Sequence, residues 1–185
     1  MIAKIEGLSL CTSLDSLYLK NNRIGVNGLD DLIGLLECPT LACLDIQGNK
    51  IDCPAFLDEV LVKMPKLKVL YMQNNEIAKG KLIVSYRKTV IAKIGQLSYL
   101  DDRPVFEEDR RHAEAYHRGG IEAERQERDL IRKERDEKHH DNHVKFKEMM
   151  RKAREEKRAA DEAKARAEAE ARGETWVAPM PVTLE

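Results

Sequence analysis

The segment LDSLYLKNNRI, residues 14–24, carries the pattern that defines the fold of this chain. It reads L-x-x-L-x-L-x-x-N-x-I. The same pattern returns as LACLDIQGNKI at residues 41–51 and as LKVLYMQNNEI at residues 67–77. The three starting positions, 14, 41 and 67, lie 27 and then 26 residues apart, which is the period of a structural repeat.

Each of these segments predicts a short strand with one buried and one exposed face. Alternate side chains of a strand point to opposite faces, so Leu17 and Leu19 point into the core while Tyr18 points outward. The asparagine that closes each strand can pair backbone groups that would otherwise be buried without partners. These repeat asparagines are Asn22, Asn49 and Asn75. The pattern predicts an α/β fold, a leucine-rich repeat solenoid with short parallel strands.

The segments between the strands carry apolar residues at helical spacing. This spacing predicts helices over residues 28–36, 56–64 and 86–94. Pro39 and Pro65 end the first two, because proline disfavours a helical conformation in the residue before it. Each repeat is therefore expected to return to the sheet through a helix.

The pattern restarts at Leu97 and Leu100 but then breaks at residues 101–104, DDRP, where the inward aliphatic residue and the asparagine should stand. A polar closing coil of this kind predicts a C-terminal cap, which covers the open end of a solenoid. At the other end, Ile2 and Ile5 resemble the rear half of a repeat, so we expect the chain to start within one. The predicted domains are a leucine-rich repeat domain with its cap at residues 1–103, a long charged helix at 104–172 and a flexible tail at 173–185.

The charged region is predicted to be a solvated α-helix. Acidic residues precede basic ones by four positions, as at Glu124 and Arg128, and each such pair stabilises a helix by about 0.2 to 0.5 kcal/mol. Gly119 and Gly120 should interrupt it, since two glycines cost roughly 2 kcal/mol relative to alanine. Heptad positions are not sustained, so we expect no self-pairing coiled coil.

Composition excludes several classes of function. The formal net charge is −1, so no strong field attracts nucleic acid or an anionic membrane, and no apolar run is long enough to cross a bilayer. No catalytic or nucleotide-binding motif is present, so we expect no enzyme activity and no cofactor. His139 and His143 share a helix face but lack a third ligand, so we predict no metal site.

The outward strand positions are the predicted protein-binding surface. Stacked repeats align them in columns on the concave face of the sheet, where Tyr18, Tyr71 and Tyr99 offer large, rigid contact areas. The alternative is that Tyr18 and Tyr71 only cover the sheet and pack on each other. The predicted binding residues are Ser16, Tyr18, Lys20, Cys43, Asp45, Gln47, Val69, Tyr71, Gln73, Tyr99 and Asp101, the last two extending the first two columns into the cap.

The cap and the start of the helix carry a family resemblance. The motifs are YLDDRPVF at 99–106, DRR at 109–111, AEA at 113–115, GG at 119–120 and EAERQER at 122–128. With the repeats, these resemble the dynein axonemal assembly factor 1 family, leucine-rich repeat proteins also called outer row dynein assembly proteins. The resemblance implies a non-enzymatic protein that acts in the cytoplasm in the pre-assembly of axonemal dynein arms, and so in the motility of cilia or flagella. Dynein chains, assembly factors or chaperones would be its partners, and the charged helix would be a spacer or a second docking surface.

Two further classes of protein stay open. One is an adaptor in a nuclear ribonucleoprotein, similar to the capped repeat array of the U2 A′ protein. The other is a structural axonemal or phosphatase-regulatory repeat protein. The chain has fewer repeats than the assembly-factor family usually has, which suits a fragment, a reduced relative or an axonemal paralogue. In each case we expect protein partners, no nucleic acid or membrane contact, and a monomer outside complexes.

Overall fold

The sheet is built from the predicted repeat strands. The computed structural model describes residues 1–79, 83–173 and 175. Its strands lie side by side in chain order: β1 (Ser16–Tyr18), β2 (Cys43–Asp45), β3 (Val69–Tyr71), β4 (Tyr99–Leu100) and β5 (Arg103–Pro104). The first four are parallel, and β5 pairs antiparallel with β4. The predicted leucine-rich repeat architecture with short parallel strands is confirmed.

The inward side chains of neighbouring strands stack directly on one another. Leu17 pairs with Leu44, Leu44 with Leu70 and Leu70 with Leu100. Leu44, Leu70 and Leu100 are 0% exposed. Burial of each such side chain stabilises the fold by about 1.5 to 3 kcal/mol, so this row joins the repeats into one core.

The segments that connect the strands are shorter and less regular than predicted. Residues 28–36 form two 3₁₀ helices, Gly28–Asp31 and Ile33–Glu37, rather than one α-helix. Residues 56–64 form α1 (Ala55–Glu59) followed by a 3₁₀ turn at Leu61–Lys63. Because a 3₁₀ helix rises about 2.0 Å per residue against about 1.5 Å in an α-helix, these short pieces span the same distance with fewer residues. The third connection contains a 3₁₀ turn at Glu76–Lys79 and α2 (Tyr86–Lys93), close to the prediction for 86–94.

The repeat asparagines form a ladder of amide hydrogen bonds between coils. The Asn49 side-chain nitrogen donates to the Leu19 carbonyl of the preceding coil and to the Ile46 carbonyl of its own, both at 2.9 Å. Its amide oxygen accepts from the Ile24 backbone N–H at 3.1 Å. Asn75 makes the equivalent bonds one coil further on. Each buried amide therefore satisfies backbone groups in two coils at once.

Residues near the start of the chain follow the same hydrogen-bonding rule. The Ile2 N–H donates to the Asn22 side-chain oxygen at 2.8 Å, as the Ile24 N–H does to Asn49. The Ile2 carbonyl accepts from Arg23 at 2.9 Å. Ile2 thus occupies the place in its coil that Ile24 occupies in the next. Ile5 is 4% exposed and belongs to the core.

Asp101 continues the hydrogen bonding between coils at the point where β4 ends. This residue has a positive φ of 57°, which lets its carboxylate turn back and accept a hydrogen bond from the Met72 N–H at 2.8 Å. The Tyr86 hydroxyl donates to the other carboxylate oxygen at 3.1 Å. Burial raises the pKa values of both Asp101 and Tyr86. The Asp101 carboxylate thus takes the place of the backbone carbonyl that a longer β4 would have supplied.

Residues 107–131 form a helical reversal that packs behind this cap. The last helix, α3, covers Glu107–Ala171, but Gly119 and Gly120 have non-helical backbone angles, and Gly120 has φ 68°. Arg111 and Glu127 form an ion pair at 2.7 Å although 16 residues separate them. In a straight helix that separation would be about 24 Å, so the chain folds back on itself at the glycines.

The reversal extends the first compact unit beyond the predicted domain boundary. This unit covers Met1–Ile131, whereas the sequence places the end of the repeat domain at residue 103. Lys88 on α2 donates to the Glu124 carboxylate at 2.6 Å, across 36 residues of sequence. Lys88 also lies 4.6 Å from the centre of the Tyr116 ring, a cation–π distance. Residues 104–131 therefore belong to the first compact unit.

The second unit begins at Arg132 and contains the remainder of α3. Ion pairs one turn apart run along it, including Arg151 with Glu155 at 3.9 Å and Arg158 with Glu162 at 2.8 Å. In the described part of the chain, no helix is long and apolar enough to span a membrane. Apart from Gly173 and Thr175, the tail predicted for 173–185 lies outside the described residues.

Candidate protein-binding surface

The outward side chains of the strands form two well-defined columns. Strand register places Ser16 beside Cys43, Cys43 beside Val69 and Val69 beside Tyr99. The second column follows from the same pairing and contains Tyr18, Asp45 and Tyr71. We call the surface made by these columns and by Lys20, Gln47 and Gln73 the outer sheet face.

The third column continues the same register past the ends of the strands. The Asn21 N–H donates to the Gln47 carbonyl at 2.8 Å, and the Gly48 N–H donates to the Gln73 carbonyl at 3.0 Å. These bonds align Lys20, Gln47 and Gln73 across the three repeats. The structure therefore brings ten of the predicted binding residues together on one surface: Ser16, Tyr18, Lys20, Cys43, Asp45, Gln47, Val69, Tyr71, Gln73 and Tyr99.

The tyrosines divide this surface into two parts. Tyr71 and Tyr99 pack together with ring centres 5.7 Å apart and planes tilted by 54°. Tyr18, at the other end, is 67% exposed, and its hydroxyl lies 3.9 Å from the Cys43 sulfur. The contact with Cys43 raises the pKa of Tyr18, and partial burial raises that of Tyr71, so both are neutral hydrogen-bond donors at neutral pH.

The alternative interpretation paired Tyr18 with Tyr71, but the ring contact in the structure joins Tyr71 to Tyr99. Such a pair is held rigid before any partner arrives, which lowers the entropy cost of binding. The remaining tyrosine presents most of its ring to solvent. An extended or helical protein segment lying across the strands would meet an aromatic side chain at each end and small or polar groups between them.

Asp101 does not belong to this surface. The sequence placed it in the second column, beside Tyr71, but it is 8% exposed and its carboxylate is committed to the Met72 N–H and the Tyr86 hydroxyl. The physical reason is that β4 ends at Leu100, which leaves the N–H of Met72, the residue after β3, without a strand partner. Asp101 therefore has a structural role in the cap.

Sequence reasoning missed the side chains that hold the cap in place. Arg87 donates to the carbonyls of Leu100 and Pro104 at 3.1 and 2.8 Å. Arg110 donates to the Leu97 carbonyl at 2.6 Å. The sequence does show basic residues near the cap, but their spacing does not indicate that they bond to backbone carbonyl oxygens. These arginines fix the backbone beside Tyr99 and so fix one end of the outer sheet face.

Within the described ranges, no group of three or more histidine, cysteine or acidic side chains is placed to hold a metal ion. The four cysteines are free thiols, and Cys43 is the one on the outer sheet face. The surface thus offers aromatic, amide and hydroxyl groups, which suit recognition of another protein.

The comparisons with known proteins agree with this architecture. A family model described as leucine-rich repeat matches residues 1–131, so the chain belongs to the leucine-rich repeat family. Its matched range ends at the same residue as the first compact unit.

Among curated proteins, the chain is similar to assembly factors of axonemal dynein. It is 39% identical over 125 residues to the leucine-rich repeat-containing protein ODA7 of Chlamydomonas reinhardtii, a match covering 68% of this chain and 28% of that protein. It is 41% identical over 131 residues to dynein axonemal assembly factor 1 of Peromyscus polionotus, covering 71% of this chain and 21% of the relative. The human protein of that name is 45% identical over 98 residues, covering 53% and 13%. The chain therefore spans well under half the length of these curated relatives.

A solved structure shares the fold. The crystal structure of the Drosophila melanogaster SNF/U2A′ complex contains a chain that matches with a TM-score of 0.51 and 27% sequence identity, covering 70% of this chain and 68% of that one.

Proposed function

We propose that this protein is a non-enzymatic factor in the cytoplasmic pre-assembly of axonemal dynein arms, acting by holding a protein client or co-chaperone on its outer sheet face. Similarity to ODA7 at 39% identity and to dynein axonemal assembly factor 1 at 41% identity, each over about 70% of the chain, is the observation that carries the proposal. On this proposal the protein acts in the cytoplasm and in the cilium or flagellum. Dynein chains, other assembly factors and chaperones are its proposed partners.

The outer sheet face supports the binding part of this proposal. Tyr18 is 67% exposed, and the pair of Tyr71 and Tyr99 lies across the strands from it. Interface residues that contribute most to affinity are often tyrosines, tryptophans and arginines set in well-packed surroundings. The polar neighbours Gln47 and Gln73 can donate and accept hydrogen bonds at the margin of such a contact.

The test is a partner-capture experiment in ciliated cells with a surface variant. Tyr18→Ala combined with Tyr71→Ala removes the aromatic rings at both ends of the second column while leaving the inward leucines in place. We expect at least about a tenfold loss in recovery of dynein heavy chains or their chaperones, since interface tyrosines can each contribute more than about 1 kcal/mol. Native-like melting of the purified variant shows that the fold is retained.

Val62→Ala is the control substitution, because Val62 is 44% exposed and lies on the connection after α1 rather than on the sheet. It should capture the same partners as the unchanged protein. Unchanged capture by the double tyrosine variant would reject the outer sheet face as the binding surface. Absence of dynein chains and chaperones from every capture would reject the assembly function.

A second candidate is an adaptor beside RNA, favoured by the structural likeness to the U2A′ chain of the SNF/U2A′ complex. In that case the outer sheet face would hold an RNA-binding protein rather than a dynein component. Sequencing of RNA recovered with the protein separates the two. Enrichment of a small nuclear RNA that depends on Tyr18 and Tyr71 would favour the adaptor.

A further inference from the structure

The second unit carries an exposed apolar strip on a helix that is otherwise charged. Phe146, Met149 and Met150 are 55%, 57% and 39% exposed. At 3.6 residues per turn, these three and Ala153 fall within about 100° of the helix circumference. Large apolar groups grouped in this way on a solvated surface commonly mark an interaction site.

The two edges of this strip differ in charge. One edge is mainly basic, and its open groove is lined by Phe146 and Met150 together with His143, Lys147, Arg151, Arg154, Glu155 and Arg158. The opposite edge is mixed, with acidic and basic groups in equal number beside Met149: Lys145, Glu148, Lys152 and Glu156. We call the first edge the basic edge.

The basic edge belongs to a block of positive charge in the sequence. Residues 143–158 contain seven lysines and arginines against three glutamates, a net charge of +4. The following residues, 159–171, contain four acidic and two basic side chains. Arg151 and Arg158 have glutamates one turn further on, whereas Lys147 and Arg154 form no ion pair among the residues described.

A second copy of this chain is a poor occupant for the strip. In a parallel pair aligned over the same residues, the basic edge would face the mixed edge of the second copy, where acidic and basic groups are equal in number. In an antiparallel pair it would face another basic edge, which is destabilising. An anionic lipid surface is also a poor match, because a flat surface that covers the apolar strip touches both of its edges. It would then meet the mixed edge as well, where Glu148 and Glu156 offset Lys145 and Lys152, so only the basic edge would add net attraction.

We propose that the strip and its basic edge dock an amphipathic helix of a partner protein whose apolar face is flanked by acidic residues. The apolar side chains of the partner would pack between Phe146 and Met150. Its carboxylates would pair with Lys147 and Arg154. This surface shares no residue with the outer sheet face and gives the protein a second place to hold a partner.

The test uses the full chain and a labelled synthetic helix whose leucines recur every three or four residues with glutamates beside them. The variant pair is matched in charge: Lys147→Glu with Arg154→Glu on the basic edge, and Lys145→Glu with Lys152→Glu on the mixed edge. Both change the net charge by −4 and place the substitutions seven residues apart. By fluorescence anisotropy, we expect the first variant to lose at least about tenfold in affinity and the second less than about threefold, since scattered exposed charges contribute little.

Further measurements separate the apolar and electrostatic parts. Phe146→Ala with Met150→Ala should also weaken binding by at least about tenfold while circular dichroism stays unchanged, because alanine favours helix. Replacing the glutamates of the synthetic helix by glutamine should abolish the difference between the two charge variants. Tyr18→Ala with Tyr71→Ala should leave binding of the synthetic helix unchanged, so the result is independent of the proposed function.

Several outcomes would overturn the proposal. Equal losses in the two charge variants would mean that net charge alone attracts the synthetic helix. Binding to phosphatidylserine vesicles but not to the synthetic helix would assign the strip to a membrane surface. A dimer in sedimentation that Phe146→Ala with Met150→Ala abolishes would assign it to a second copy. Failure to bind any of these probes would reject a docking site here.

Discussion

The repeat core and the helical reversal behind the cap are held together by different chemistry. In the core, leucines such as Leu44 stack without exposure to solvent, and uncharged amides such as Asn49 join the coils. In the reversal, few apolar side chains are buried, namely Ala113, Ala115 and Ile131, and ion pairs add long-range contacts: Lys88 pairs with Glu124, and Arg111 pairs with Glu127. The first arrangement repeats along the chain, whereas the second occurs once.

The two regions should therefore be sensitive to different conditions. Apolar burial and neutral hydrogen bonds change little with pH or salt. Ion pairs weaken when either partner titrates and are screened by ions when they are exposed. The core should set the overall stability of the first unit, and the reversal should respond to solution conditions.

The largest effect is expected from Leu44→Ala in the centre of the core. Leu44 is 0% exposed and lies between Leu17 and Leu70. Its truncation should lower the free energy of unfolding by about 2 to 5 kcal/mol through lost burial and the cavity left behind. Urea unfolding followed by circular dichroism measures this. Leu10→Ala is the control, because Leu10 is 93% exposed, and a comparable loss there would contradict the assignment of the core.

The next effect tests the asparagine ladder. Asn49→Ala removes the amide that serves the carbonyls of Leu19 and Ile46 and the N–H of Ile24. Leaving these buried groups unpaired should cost about 1 to 3 kcal/mol. Asn142→Ala, on the exposed charged helix, should change the same urea midpoint very little. If Asn49→Ala lowered stability as little as Asn142→Ala, the ladder would not be needed, because water or a backbone shift would satisfy the same groups.

The core and the asparagine ladder could be predicted from the sequence because the same pattern of leucines and asparagine occurs in each repeat. A strand's alternation fixes which side chains point inward, and repetition fixes which of them become neighbours, so the sequence alone assigns Tyr18 and Tyr71 to one column. The interior position of Asp101 could not be predicted, since it arises where the repetition ends.

The reversal is the part that the sequence describes least. Gly119 and Gly120 predict an interruption, but the direction of the chain after it depends on contacts between residues that are 16 and 36 positions apart. No periodic signal links such pairs. The many other acidic and basic residues of α3 make each of these partners one choice among several.

Gly120→Ala tests the glycine that allows the reversal. With φ 68° and ψ −153°, Gly120 has backbone angles that are essentially restricted to glycine, and an alanine there would cost about 1 to 3 kcal/mol. Spin labels at Glu107 and Leu130 should be close in the unchanged protein, whereas a continuous helix would hold them about 35 Å apart. The variant should shift part of the population to the longer distance.

Gly95→Ala is the matched control for this substitution. An added methyl group at Gly95 would meet no atom within 4 Å, and Gly95 is not among the glycines with positive φ. Its distance distribution should equal that of the unchanged protein. A long-distance population in the unchanged protein would instead show that the two halves of the reversal are not held together.

The smallest effect should come from Glu124→Gln. The hydrogen bond from Lys88 lowers the pKa of Glu124 and outweighs the opposing effect of burial. In the unfolded chain a glutamate has a pKa of about 4.3. The native carboxylate therefore contributes its full stabilisation above that pH and loses it as the pH falls through the lower native pKa. Because Lys88 is 37% exposed, solvent screens the pair, and the loss at pH 7 should be below about 1 kcal/mol.

Hydrogen exchange of residues 107–131, measured against pH, resolves an effect of this size locally. The difference between Glu124→Gln and the unchanged protein should shrink as the pH is lowered, because acid removes the same charge that the substitution removes. Glu122→Gln provides the comparison, since Glu122 is 68% exposed and its contact with Arg125 is 3.6 Å long. If both substitutions had the same effect on exchange, or if the effect of Glu124→Gln stayed constant down to about pH 2, the ion pair with Lys88 would not be what holds the reversal against α2.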